Sequence, residues 1–279
     1  MSRASLLRDL LTAPRSYRYG TDHRCQQADL HLPAGSGPHP VVVVIHGGAW
    51  TAGYGKVVMR ALAGNLARRG FAAWNIEYRR IGRGQGGGWP ATFVDVAAAI
   101  DTLATVPAPL DLRRVTFFGH SAGGQLALWA AGRRRLRQGD PGADPVIEPV
   151  GAISAAGVND LAQSFREAPH GAVGVLMGGG PDEQPERYAV ADPIGEVPLP
   201  IPVLLVHGTD DETVSVRRSR DYAQAARARG GEVDLVEIAG AAGRHRSHVS
   251  PTSESFKAVA GWLESRRLAQ RNEKPAAYR

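Results

Sequence analysis

Val115-Thr116-Phe117-Phe118-Gly119-His120-Ser121-Ala122-Gly123-Gly124-Gln125 reads as a short apolar strand that runs straight into a glycine-rich turn. The residues from Gln125 to Ala131 then read as a helix. Strand, sharp turn and helix are the context in which a Gly-x-Ser-x-Gly motif presents its serine as a nucleophile. The small residues have a physical reason. A serine on a strained turn needs neighbours without bulk, because the two backbones pass close on either side. The helix N-terminus also sets backbone N–H groups beside the hydroxyl, where negative charge develops during acyl transfer. A bare Gly/Ser turn without chemistry is the alternative, and the companion motifs weigh against it.

Working outward, Val41–Ile45, Phe71–Ile76, Val115–Phe118 and Ile201–Val206 are short apolar runs suited to strands buried on both faces of a parallel sheet. A further strand is expected around Val150–Ser154, and an apolar alternation marks Val233–Ile238. Gln27–Leu32 alternates as an antiparallel edge strand would. Between these runs lie helical spacings: Phe93, Ala97, Ile100 and Ala104 on one face, and Phe256, Val259 and Leu263 near the end. The order predicts an α/β fold with a mostly parallel central sheet flanked by helices. Residues 157–200, rich in Gly and Pro, are expected to form a short, partly helical cap-like insertion. Residues 267–279 are expected to be a polar, frayed tail. No repeat or linker divides residues 1–279, so a single domain is expected.

Val41–Ile45 ends in His46-Gly47-Gly48-Ala49-Trp50. Its glycines free the backbone to point N–H groups into a cavity, so the amides of Gly47, Gly48 or Ala49, with that of Ala122, are candidate oxyanion donors. One such donor is worth about 3–4 kcal/mol of transition-state stabilisation. His46 reads as a structural histidine that fixes this loop, and a simple β-turn is the bland alternative for the whole segment. In a fold with this strand–turn–helix serine the triad runs Ser, then Asp or Glu, then His along the chain; with the acid expected in the loop after Ile201–Val206, that order leaves His245 and His248 of the nine histidines. The loop His207-Gly208-Thr209-Asp210-Asp211-Glu212-Thr213-Val214 offers three carboxylates, among which composition does not choose. His245 and His248 could also form a metal pair, but no further ligand cluster accompanies them, so no metal is expected.

These residues resemble α/β-hydrolase esterases of the hormone-sensitive-lipase and feruloyl/acetyl-esterase kind, together with kynurenine formamidases. The likeness spans roughly residues 41–263. It is carried by the His-Gly-Gly-Ala-Trp loop with Gly53 and Lys56, the Gly-His-Ser-Ala-Gly-Gly turn, and His-Gly-Thr-Asp-Asp-Glu-Thr-Val. Trp89-Pro90 before a helix holding Asp95, and Ala191-Asp192-Pro193, add to it. The resemblance implies an α/β-hydrolase fold and a Ser-Asp-His triad. The family's acid lies four residues after the histidine of His-Gly, which selects Asp211. Its base stands six residues before a proline, which selects His245 ahead of Pro251. His248 stands as the alternative base, because Arg244 and Arg246 flank His245 where the family often has smaller or aromatic residues. The implied function is hydrolysis of small-to-medium carboxylic esters through an acyl-enzyme, without cofactor. Arylformamidase activity, a small serine peptidase and a non-catalytic ligand-binding protein are the alternatives.

Composition excludes little. The 279 residues carry a net charge of +6, with arginines bunched at Arg133-Arg134-Arg135-Leu136-Arg137. No aromatic platform accompanies them, so a solvated surface and a helix end carrying cations are expected rather than nucleic-acid binding. The longest apolar run is far below the roughly 20 residues that span a bilayer. The first twenty residues hold no continuous apolar core, since Arg8 and Asp9 interrupt it, so no secretory signal is expected. Cys25 is the only cysteine. These features together lead to the expectation of a cytoplasmic protein.

Overall fold

The computed structural model describes residues 14–272, with side chains as far as Leu268. Eight strands form one sheet: β1 (Arg15–Arg18), β2 (Gln27–His31), β3 (His39–Ile45), β4 (Ala72–Ile76), β5 (Leu110–His120), β6 (Gly151–Ala155), β7 (Val203–Gly208) and β8 (Val233–Ile238). Their order is β1-β2-β4-β3-β5-β6-β7-β8. β2 runs antiparallel to both neighbours, and every other pair is parallel. The α helices are α1 (Arg60–Arg68), α2 (Ala91–Asp101), α3 (Ala122–Gly132), α4 (Leu161–Glu167), α5 (Ala172–Met177), α6 (Pro185–Ala191), α7 (Arg217–Arg227) and α8 (Glu254–Asn272). This is the α/β-hydrolase arrangement implied by the resemblance.

Continuous apolar runs are required because both faces of the sheet are covered. Val41, Val43 and Ile45 pack with Phe93, Leu126 and Tyr222 of α2, α3 and α7. Val42 and Val44 point the other way, toward Leu62 and Leu66 of α1 and Phe256 and Val259 of α8. Alternation along one strand thus builds two apolar layers.

Four expectations need correction. Gln27–His31 is antiparallel but is not the edge, since β1 pairs outside it, Arg15 opposite Leu30 and Tyr17 opposite Ala28. The outer strand, Arg-Ser-Tyr-Arg, is polar and mostly exposed, so it lacks the apolar signal of a strand. Ala104 is exposed, and Leu103 fills the buried position instead, because a 3₁₀ turn (Thr102–Thr105) follows α2 and tightens the phase. Helix α8 continues through Asn272, past the point where a frayed tail was expected. Finally, Arg133 is not solvated: its side chain is 1% exposed and is paired with Asp101 at 2.6 Å. The rest of the expected tail and most of the N-terminal segment read for a signal lie outside the described residues. No helix among the described residues is long and apolar enough to cross a membrane.

Candidate active site

Every expected site residue stands at or just beyond the C-terminal end of a strand, where ligand sites form in such sheets. Ser121 follows β5 directly and is the N-cap of α3, with φ 55° and ψ −120°. This is a strained conformation for a residue with a Cβ. The turn is held by Ser121 N donating to Ala155 O at 2.8 Å, and by Gly124 N and Gln125 N donating to Ser121 O. Gly119 and Gly123 have to be glycine here. A Cβ on Gly119 would run into the carbonyl of Gly123, and one on Gly123 into the carbonyls of Ile45 and His46.

His245 reaches Ser121 from the loop after β8. Its Nε2 lies 2.9 Å from Ser121 Oγ, and its Nδ1 lies 2.7 Å from Asp211 Oδ2. Asp211 follows β7. Its second oxygen, Oδ1, accepts from the amides of Thr213 (2.8 Å) and Val214 (3.0 Å). Burial pushes the Asp211 carboxyl up, but the His245 hydrogen bond and these amides outweigh it and hold it below the usual range. An ionised carboxylate only accepts, so the proton between the pair sits on Nδ1 and Nε2 is left to accept from the serine hydroxyl.

The other carboxylates of the loop are placed elsewhere. Asp210 accepts from Gly240 N at 2.9 Å, and Glu212 is exposed. His248 is fully buried, with its Nδ1 2.7 Å from Ser255 Oγ at the foot of α8. It packs against the ring of His120 rather than reaching Ser121. Among the described residues, no group of three or more His, Cys, Asp or Glu is arranged to hold a metal ion.

Gly47, Gly48 and Ala49 lie beside the serine turn. A Cβ on Gly47 would come 2.9 Å from Ser121 Cβ. Gly48 (φ 115°), Ala49 (φ 50°) and Trp50 (φ 56°) all take positive φ, so the loop turns tightly. Ala122 is the first residue of α3, and its amide has no acceptor within the helix.

Beside Ser121 opens a cavity of about 230 Å³ lined by Ala49, Trp50, Val158, Val173, Val214 and Arg218, among others. The 157–200 insertion supplies one wall through α4 and α5. Asp192 closes that insertion on itself by accepting from Leu161 N and Ala162 N at 2.8 and 2.9 Å. Burial pushes the Asp192 carboxyl up to about 6, against the pull of these amides.

Several residues were missed by sequence reading. His120 was seen only as the variable position of the motif. Its Nε2 donates to His245 O at 3.0 Å and so fixes the loop that carries His245. Burial, then the neighbouring His245 and His248, lower its pKa to about 3, which keeps the ring neutral. Glu77 and Tyr78 stand behind the glycine loop, and Arg218 stands in the cavity wall paired with Glu167 at 2.7 Å. The one available signal was position, because Glu77 follows the apolar run of β4 at the end of the sheet that carries the site.

A family model, BD-FAE, matches residues 28–225. The chain belongs to the BD-FAE family. It is similar to the probable carboxylic ester hydrolase LipM of Mycobacterium tuberculosis (strain ATCC 25618 / H37Rv), 30% identical over 218 residues. That match covers 72% of this chain and 47% of LipM. The chain spans about half the length of the curated relatives it matches. Among solved structures, a truncated carbohydrate esterase from gut microbiota superposes with a TM-score of 0.78 at 22% identity, covering 92% of this chain and 98% of the other. Esterase B from Lactobacillus rhamnosis superposes with a TM-score of 0.76 at 20% identity, covering 98% and 100%. At these identities the superpositions show a shared fold.

Proposed function

We propose that this chain is a serine esterase, one α/β-hydrolase domain with residues 157–200 as its cap, acting on small-to-medium carboxylic esters. The observation that carries the reading is the unbroken hydrogen-bonded line Asp211–His245–Ser121. His245 Nε2 takes the proton of Ser121 as Oγ attacks the ester carbonyl, and Asp211 stabilises the imidazolium that forms. The carbonyl oxygen becomes an oxyanion held by the amide of Ala122 and by amides of the Gly47–Ala49 segment. His245 then gives its proton to the departing alcohol. Water, activated by the same ring, hydrolyses the acyl-enzyme and returns Ser121 to its starting state.

Ester rather than formamide or peptide substrates are supported by the company the chain keeps, since LipM and both superposed structures are described as ester hydrolases. The 230 Å³ cavity suits an acyl group of modest length. Two measurements test the proposal: labelling by a serine-directed fluorophosphonate, and turnover of short p-nitrophenyl esters beside N-formylkynurenine. Label and ester turnover are expected in the folded protein and are both lost in Ser121→Ala. A folded protein that neither labels nor turns over any ester overturns the reading, as does turnover of the formamide alone.

A further inference from the structure

Behind the glycine loop lies a set of polar side chains that the proposed reaction does not itself consume. Three successive carbonyls of the loop are each tied back. His46 O accepts from the Tyr78 hydroxyl at 2.8 Å. Gly47 O accepts from His46 Nδ1 at 2.8 Å. Gly48 O accepts from Thr51 N and Thr51 Oγ1, both at 2.9 Å. In a trans peptide the C=O and the following N–H point in opposite directions. Tying back Gly47 O therefore aims the Gly48 amide away from His46, and tying back Gly48 O aims the Ala49 amide away from Thr51. Neither amide donates to another group among the described residues.

His46 can hold Gly47 O only if its ring is itself fixed. Its Nε2 lies 2.8 Å from Glu77 Oε1, and its face stacks on Tyr78 with centroids 4.3 Å apart and planes 7° from parallel. The two ring nitrogens thus span from the loop carbonyl of Gly47 to the Glu77 carboxylate. Glu77, 7% exposed, sets its negative charge against that ring. Its Oε2 accepts from Lys56 N at 3.0 Å, and its Oε1 also accepts from Tyr78 N at 3.2 Å. Burial pushes the carboxyl up, yet the His46 contact and the Lys56 amide outweigh it, so Glu77 stays ionised. The outer end of the same loop is covered by Tyr54, which a Cβ on Gly48 would strike.

We propose that Glu77, together with Tyr78, is a positioning residue for ester hydrolysis: acting through His46, it aims the Gly48 and Ala49 amides at the oxygen that becomes negative beside Ser121. The inference rests on the esterase reading above. It deepens that reading by naming the side chains that set the direction of the loop's Gly48 and Ala49 amides. Mis-aimed donors weaken the charged transition state more than the neutral ester, so the loss falls on kcat and not on KM.

The test uses the full chain with Glu77→Gln, Glu77→Ala and Tyr78→Phe, p-nitrophenyl ester kinetics, a boronic acid as a tetrahedral mimic, and thermal unfolding to establish folding. In folded variants kcat is expected to fall about tenfold or more, short of the roughly 10²–10³ seen when a donor is removed outright. KM stays near wild type, and boronate affinity falls in step with kcat/KM. Glu77→Gln, which retains an oxygen for His46, loses less than Glu77→Ala. Folded Glu77→Gln and Tyr78→Phe with wild-type kcat, or with raised KM alone, overturn the proposal. Should the wild type turn over no ester, the esterase reading fails on its own. The positioning role is then judged by amide hydrogen exchange over residues 47–51, which must quicken in Glu77→Gln and Tyr78→Phe. Unchanged exchange overturns it.

Discussion

Ser121 sits at φ 55°, ψ −120°, a region that an alanine or serine enters only under strain. Such strain is of order 1–3 kcal/mol per residue. Two substitutions isolate it. Ser121→Ala and Ser121→Gly both delete Oγ and its 2.9 Å contact with His245 Nε2, so that loss cancels between them. Alanine keeps the Cβ and hence the strain. Glycine releases it, but gives the unfolded chain about 0.5–1 kcal/mol more freedom to lose. The backbone cannot relax to escape the comparison. Its amide is bonded to Ala155 O, and its carbonyl receives the amides of Gly124 and Gln125. The difference leaves Ser121→Gly more stable than Ser121→Ala by about 1 kcal/mol, a rise in Tm of roughly 2 °C for a chain of this size. Calorimetry on the two inactive variants reads it directly. An alanine variant as stable as the glycine variant, or more so, refutes the view that the turn presents its serine under strain.

Further predictions concern the neighbouring groups. Asp211→Asn deprives His245 of its ionised partner and should lower kcat by roughly 10⁴, whereas Asp210→Asn, on the next residue, should leave ester kinetics near wild type. Stability should fall as pH drops from about 6.5 toward 4. His120 and His248 titrate near 3 and 4 in the folded protein against 6.5 unfolded, so the unfolded chain takes up their protons first. His248→Gln should make that slope shallower by up to about 3 kcal/mol between pH 7 and 4, measured by urea midpoints. The lowered carboxyls of Asp211 and Glu77 act with the same sign at still lower pH. Arg133→Met leaves Asp101, which Arg133 meets through two nitrogens at 2.6 and 3.2 Å, with only the Val146 and Ile147 amides, and should cost about 1.5–3 kcal/mol in urea unfolding. Asp101→Asn in the same chain should recover part of that loss.

What could be read in advance was what physics writes into neighbouring residues. Strands β3 to β7 were legible because both of their faces are buried, as the packing of Val41–Ile45 into two apolar layers shows. The serine turn was legible because its constraints are local: glycines at 119 and 123 are needed where backbones nearly touch. Strand β1 was hidden, since an edge strand that is mostly exposed carries no apolar pattern. Arg133 was misread for the converse reason. Its burial depends on Asp101, 32 residues earlier, and a run of arginines looks alike whether or not one of them turns inward.

The site follows the same rule at longer range. Asp211 was singled out by resemblance and not by composition, and the structure separates it physically from Asp210. Asp211 gathers the Thr213 and Val214 amides and the His245 ring, whereas Asp210 accepts from Gly240 N. Glu77 had no such neighbour in sequence to betray it. It meets His46 across 31 residues because β4 lies beside β3 in the sheet, and β3 in turn lies beside β5, which carries Ser121. The strand order therefore does more than gather the Asp211–His245–Ser121 line at one end of the sheet. It sets a carboxylate from β4 behind the loop from β3, and that loop against the serine from β5, so that three adjacent strand ends meet at Ser121.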